Sequence, residues 1–429
     1  MNGSMVAALG LGPKIWLVLS LLGCVTLFFK FSRFWSVRNV DLLLLFVLVP
    51  GILMIVGNPG KPPWSAYVWL FLGSGLWLLR CLLDLGLARR PLLEPNLNAS
   101  GLLCLSVGLL GLLLAETVSL PVDEGAARNA AEPSGREDRP PLAPGPEHPA
   151  VQQAVEQVLK IAPLPSSLKR ELPQVIVQRV LAVLAHLALV LGLLALGWRH
   201  FERPITGMAM AACYLLLPYT RMALVDSGQL IAAALIVGAV FWHGRPALAG
   251  VLIGLAAGWI PACLGLIALW FGFYLGRGAV RFIAVAVVVV GSCALLGLGV
   301  PGLGEWARAL GARSIAEVGL LPQFEPPSSG SFWISFDSSY RLPVLIAYVA
   351  LVIITMLWPA EKTLAELIAL SGALLVASQF WYLDKGGALV MLYLPLAITM
   401  MFRPTLAARR SLGSALRRRA PSSSLYPAR

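Results

Sequence analysis

Apolar runs long enough to cross a bilayer recur along the whole chain, and no other feature restricts its fold as severely. A hydrocarbon layer about 30 Å thick offers no water to backbone N–H and C=O groups. A crossing segment therefore closes its hydrogen bonds within a helix of roughly 20 residues, or joins a closed barrel. Barrel strands alternate apolar and polar residues, and that alternation is absent here. The expected fold is all-α, a polytopic transmembrane helical bundle.

Composition agrees. Hydrophobic residues make up 58% of the chain and charged residues 13%, against roughly 25% charged in a soluble domain; the mean hydropathy is +0.80. The most apolar stretches are 15–29, 42–57, 66–79, 102–115, 175–196, 205–217, 224–242, 247–258, 262–275, 282–298, 344–357, 364–381 and 388–401. They predict about 13 spans. Those at 247–258 and 262–275 have the least room to lengthen, and Pro261 between them admits a single broken element as well as two helices.

The formal charge of +12 concentrates beside apolar segments, which suits membrane orientation and not nucleic acid. One alternating set of connections holds Lys30, Arg33, Arg38, Arg80, Arg89, Arg90, Arg199, Arg203, Arg245, Arg277, Arg281, Lys362 and the arginines of the tail. The opposite short connections offer Lys61, Arg221 and Lys385. The positive-inside rule makes the first set cytoplasmic, with the N-terminus outside and the C-terminus inside. The expected location is the plasma (inner) membrane, multi-pass. The six cysteines lie in apolar segments without CxxC or Cys/His spacing, so neither disulfides nor a metal site is expected. No cofactor is expected either.

Two longer segments then lie outside. Residues 116–173 begin with a Pro-, Gly- and charge-rich stretch expected to be disordered, followed by 151–159, whose helical apolar spacing suits a helix on the membrane surface. Residues 300–343 carry Trp306, Phe332, Trp333 and Tyr340, expected as an interfacial aromatic belt. Gly250, Gly254 and Gly258 recur one helical turn apart, a pattern for close helix packing; no strand or GK[ST] ending accompanies them, so a phosphate loop is not indicated.

Chemistry-bearing residues concentrate in LPYTRMALVDSGQL, residues 217–230. Arg221 and Asp226 admit two readings. They pair across a turn and mark the water interface, or they receive a substrate head together with Gln229, the guanidinium taking an anionic part. Elsewhere the bland readings lead: His186 bonds to a neighbouring helix, Arg80 and Asp84 pair at i,i+4, and Asp384 and Lys385 occupy a short turn.

The run 215–282 resembles the central part of polyprenyl-phosphate-dependent mannosyltransferases of glycosyltransferase family 87, a family with the C-type glycosyltransferase fold. The similarity is carried by Gly228 and Gln229 opening a helix, basic Arg245, the Ala249–Gly250 and Gly254 segment, Pro261, and Arg277 and Arg281 after a further apolar run. Family members often carry a lysine shortly before that proline; here Gly258, Trp259 and Ile260 precede Pro261.

The resemblance implies transfer of a hexose such as mannose from a lipid-linked sugar donor to an outer-face acceptor, with membrane lipids as the other partners. It also implies an acidic general base in the first large outer loop, before an amphipathic surface helix. Asp123 is the first candidate, then Glu124 and Glu116, with Arg221 toward the donor phosphate. Residues 1–101 would then be an N-terminal addition, 102–402 the transferase-like core and 403–429 a basic tail. The competing classes are a transporter or flippase, which would show paired broken helices around a midplane polar site, and a non-catalytic assembly protein.

Overall fold

The structure, a computed structural model, describes residues 13–58, 62–87, 93–119, 173–276, 278–299, 307, 312, 332–336, 338–381 and 388–404. Among them the chain is helical, with no strand. Fifteen α-helices follow one another: α1 (Pro13–Phe28), α2 (Val37–Leu44), α3 (Val49–Val56), α4 (Trp64–Leu83), α5 (Ala99–Ser119), α6 (Pro173–Arg199), α7 (Pro204–Leu216), α8 (Pro218–Met222), α9 (Ser227–Phe241), α10 (Pro246–Trp259), α11 (Leu264–Phe273), α12 (Ala279–Gly299), α13 (Arg341–Leu357), α14 (Leu364–Ser378) and α15 (Val390–Phe402).

Among the described residues, five helical stretches are long and apolar enough to cross a membrane: Val37–Val56, Trp64–Gly86, Ala99–Ser119, Ile176–Arg199 and Ala279–Leu296. Eight further apolar helices are 10–17 residues long. Every predicted apolar stretch thus falls on a helix, while only some of those helices reach the length of a straight crossing.

Burial sorts the helices into a core and a rim. All of α15 and nearly all of α14 are buried, as helices apolar on every side should be, and α7 lies against α15. Around them, α12 leaves Val287, Val288 and Leu295 exposed, and α13 leaves Ile346 and Ile354 exposed. In a bilayer such faces meet lipid, so their exposure carries no penalty.

The glycine stripe packs as its spacing predicted. A Cβ at Gly250 would lie 2.7 Å from the Phe282 carbonyl oxygen, at Gly254 3.0 Å from Val289 Cβ, and at Gly258 2.7 Å from Cys293 Cβ. Residue numbers rise together on the two sides, so α10 and α12 run parallel and α11 must run back between them. The reversal is local: Ile260 is extended (φ −130°, ψ 114°), as a residue before proline prefers, and Pro261–Cys263 make one 3₁₀ turn into α11. Pro261 therefore separates two antiparallel helices and does not interrupt a single one.

Helix ends accordingly gather in two groups. At one end Arg38 donates to the Phe28 carbonyl (2.7 Å), Asn96 to that of Thr26 (2.9 Å) and Tyr274 to that of His243 (2.6 Å). Arg80 joins Asp41 and Asp84 there, and Arg403 joins Asp84, in a buried four-residue ionic network. The predicted Arg80–Asp84 pair is part of it. At the other end Gln178 donates to the Val225 carbonyl (3.0 Å), Trp64 to that of Phe332 (3.2 Å) and Arg341 to that of Trp381 (2.7 Å). The first end holds Lys30, Arg38, Arg80, Arg199, Arg203, Arg245, Lys362 and Arg403; the second holds Lys14, Arg179, Arg221 and Arg341. We call them the arginine-rich and arginine-poor ends.

The expected aromatic belt differs in detail. Phe332 stacks on Phe71 at 4.2 Å and Trp333 is 6% exposed, its indole N–H donating to the Phe380 carbonyl, so these two rings fill a space between helices. Tyr340, at 63% exposure, keeps an outward position. Trp306 and the predicted surface helix at 151–159 lie outside the described residues.

Candidate functional site at the arginine-poor end

The segment 217–230 is built by its own sequence. Leu217 is extended before Pro218 (φ −64°, ψ 139°), and the proline starts the single-turn helix α8 at its first position, where a missing N–H costs nothing. Asp226 then caps α9. Its Oδ1 accepts from the Gln229 backbone N–H at 3.3 Å, and its Oδ2 accepts from Gln229 Nε2 at 2.7 Å. Asp226 therefore caps the helix through its side chain, and the Gln229 side chain bonds the same carboxylate and not the Asp226 backbone N–H. Gln229 Nε2 also reaches the Ala388 carbonyl before α15, at 3.5 Å, while its Oε1 is buried and without a partner.

Arg221 does not pair with Asp226. Its Nε and Nη2 donate to Glu116 Oε1 at 3.1 and 2.9 Å, and its Cζ lies 4.6 Å from the ring centroid of Trp16 on α1. Glu116 sits in the last turn of α5, and the two side chains are 14% and 7% exposed. A buried ion pair capped by an indole face forgoes water on both charges and relies on the partner's charge and the ring quadrupole. Beside it, Arg179 Nη1 donates to the Val118 carbonyl at 3.2 Å.

One short segment thus takes part in two contact pairs, Arg221 with Glu116 of α5 and Asp226 with Gln229. Sequence reasoning named these four residues and missed three others that join them. Trp16 covers the guanidinium, Gln178 ties α6 to Val225, and Tyr219 donates to the Leu45 carbonyl at 2.7 Å. That carbonyl lies where the helix from Val37 to Val56 loosens into turns at residues 45–48, and Trp69 Nε1 donates to Val47 O there at 2.6 Å. The signals were local. Tyr219 sits inside PYTR, and Trp16 sits in the first turn of an apolar run, but nothing in either stretch names its partner.

Asp123 and Glu124, the leading candidates for a base, lie outside the described residues, as do Asp384 and Lys385. His186 Nδ1 lies 2.8 Å from the Tyr214 hydroxyl in the core, the neighbour bond expected of it. Asn98 caps α5 by accepting from the Gly101 N–H at 2.8 Å. No group of three or more His, Cys, Asp or Glu side chains is placed to hold a metal ion among the described residues. Comparisons with protein-family models, with curated proteins and with solved structures each return no match.

Proposed function

We propose that the chain is a multi-pass plasma-membrane protein in which 13 helical segments cross or enter the bilayer, with the arginine-rich end in the cytoplasm. On this reading the arginine-poor end transfers a hexose from a polyprenyl-phosphate carrier to an outer-face acceptor. What supports it is the contact between Glu116 and Arg221, 105 residues apart, because the resemblance in the sequence implies both for one site.

In the proposed step the acceptor hydroxyl oxygen attacks the anomeric carbon, the bond from that carbon to the phosphate oxygen breaks, and the lipid phosphate leaves with the electron pair. Arg221 faces the leaving phosphate, a role for which a guanidinium is suited. Glu116 is already engaged by Arg221, so it positions that side chain, and the hydroxyl proton passes to Asp123 or Glu124 in the segment that follows α5.

The test is reconstitution into liposomes with radiolabelled polyprenyl-phosphate hexoses. Replacing the base, by Asp123→Asn or Glu124→Gln, is expected to lower turnover by roughly 10²–10⁴-fold. Wild-type turnover left intact in both would remove that base assignment.

A second reading is favoured by the closed state of the ion pair: a non-catalytic assembly protein, in which Glu116, Arg221 and Trp16 only lock α5, α8 and α1 together. Absence of turnover with every donor, in protein that is folded and correctly oriented, would leave that reading in place.

A further inference from the structure

At the opposite, arginine-rich end a cavity of about 240 Å³ opens between the connection before α5 and the start of α7. Its floor is apolar, with Leu93 and Phe402 4% and 1% exposed, and the 39% exposed Ile205 also lines it. Its mouth carries opposite charges. Arg203 Nη1 lies 3.9 Å from Glu94 Oε1, beyond hydrogen-bond distance, and the two side chains are 46% and 72% exposed. Each group therefore keeps most of its hydrogen-bonding capacity.

The Arg203 wall is further biased toward anions. Arg203 is the N-cap of α7, no side chain caps that end, and Pro204 follows at the first position. Ile205 and Thr206, in the first turn, line the cavity; the Thr206 N–H is bonded to the Arg203 carbonyl at 3.0 Å, so the helix adds the positive end of its dipole to the guanidinium and not a row of free N–H groups. The Glu94 wall is held in place from behind, where Arg38 bonds the Glu94 carbonyl.

A ligand matching these walls has an oxyanion for Arg203, a hydrogen-bonding ammonium a short link away for Glu94, and apolar continuation over Ile205 and Leu93. A purely anionic phosphate would draw Arg203 away from Glu94 and offer that carboxylate no donor, and a quaternary ammonium offers it no N–H. The cavity is smaller than the roughly 300–1,000 Å³ of drug-sized sites, the scale of a headgroup. We propose that this cavity binds the phosphoethanolamine group, as carried by phosphatidylethanolamine. The site stands apart from the sugar-transfer reading and survives its failure.

The experiment uses the full-length protein in nanodiscs with equimolar phosphatidylethanolamine, phosphatidylcholine and phosphatidylglycerol, and reads the retained lipid by native mass spectrometry. The wild type is expected to prefer phosphatidylethanolamine by roughly tenfold, the worth of one charge-assisted hydrogen bond. R203Q and E94Q, both at half-exposed or more exposed side chains, are each expected to abolish the preference while leaving the melting temperature of the lipid-free protein unchanged.

Free phosphoethanolamine in competition separates the sources. Displacement of the lipid identifies the headgroup alone as the ligand, and persistence of the lipid shows that its acyl part contributes to the same site. Equal retention of the three lipids, preference for phosphatidylglycerol, or a preference kept by either variant would overturn the proposal.

Discussion

Arg221 is held by groups from two distant elements, the Glu116 carboxylate and the Trp16 ring, and neither is replaceable by water once buried. Removing the carboxylate takes an opposite charge away from a mostly buried cation. Glu116→Gln is therefore expected to destabilise the protein by about 3 kcal/mol, and Glu116→Gln combined with Arg221→Gln by less than the sum of the singles. A double-mutant cycle on melting in detergent measures the coupling, and strict additivity would mean that the pair contributes nothing.

At the other end His200 and His243 stack edge to face with ring centroids 4.8 Å apart. Burial lowers the pKa of both below the ordinary 6.5; the neighbouring Arg199 charge lowers His200 further, and that of His200 lowers His243 further. The unfolded chain then binds protons more readily than the folded one. Stability is complete above the ordinary imidazole pKa and declines as pH falls through it. Melting at pH 7.5 and pH 5, roughly spanning that value, should show a smaller loss in His243→Gln than in the wild type, and equal losses would refute the assignment. Both histidines and Arg199 were visible in the sequence, but their proximity depends on how α6 meets α9.

Between α10 and α12 the limiting dimension is the space a Cβ would fill. At Gly250 the obstacle is the backbone carbonyl of Phe282, which cannot swing aside, so Gly250→Ala should cost about 1–3 kcal/mol. Gly291, on α12 itself, has nothing within 4 Å of a Cβ. Gly291→Ala should be neutral or stabilising, since alanine is favoured over glycine in a helix by about 1 kcal/mol. Thermal melts of the two variants decide whether helix contact or helix propensity governs this layer. The Gly250–Gly254–Gly258 spacing was legible in advance because period alone sets which residues share a face. Its partner was not. Pro261 read equally well as a kink or a reversal, and only the parallel register of α10 and α12 settles that α11 runs back.

For the molecule as a whole, the gathering of helix ends into two groups leads to a sidedness test. Asn58, between α3 and α4, and Glu361, between α13 and α14, stand at opposite ends. In the cell, a membrane-impermeant maleimide should label Asn58→Cys in intact cells and Glu361→Cys only after the membrane is opened. Labelling of both from one side would refute the thirteen-segment arrangement.

Local chemistry in the sequence determined that the chain is helical and apolar, roughly where its apolar helices lie, which connections are basic, and which polar residues stand out; each follows from spacing, proline and charge over a few neighbours. Tertiary structure alone decided that Arg221 turns to Glu116 and away from Asp226, that Tyr219 reaches Leu45, and that α14 and α15 form the core. Those choices depend on which apolar faces meet, and helices apolar on nearly every side carry no pattern that names a partner.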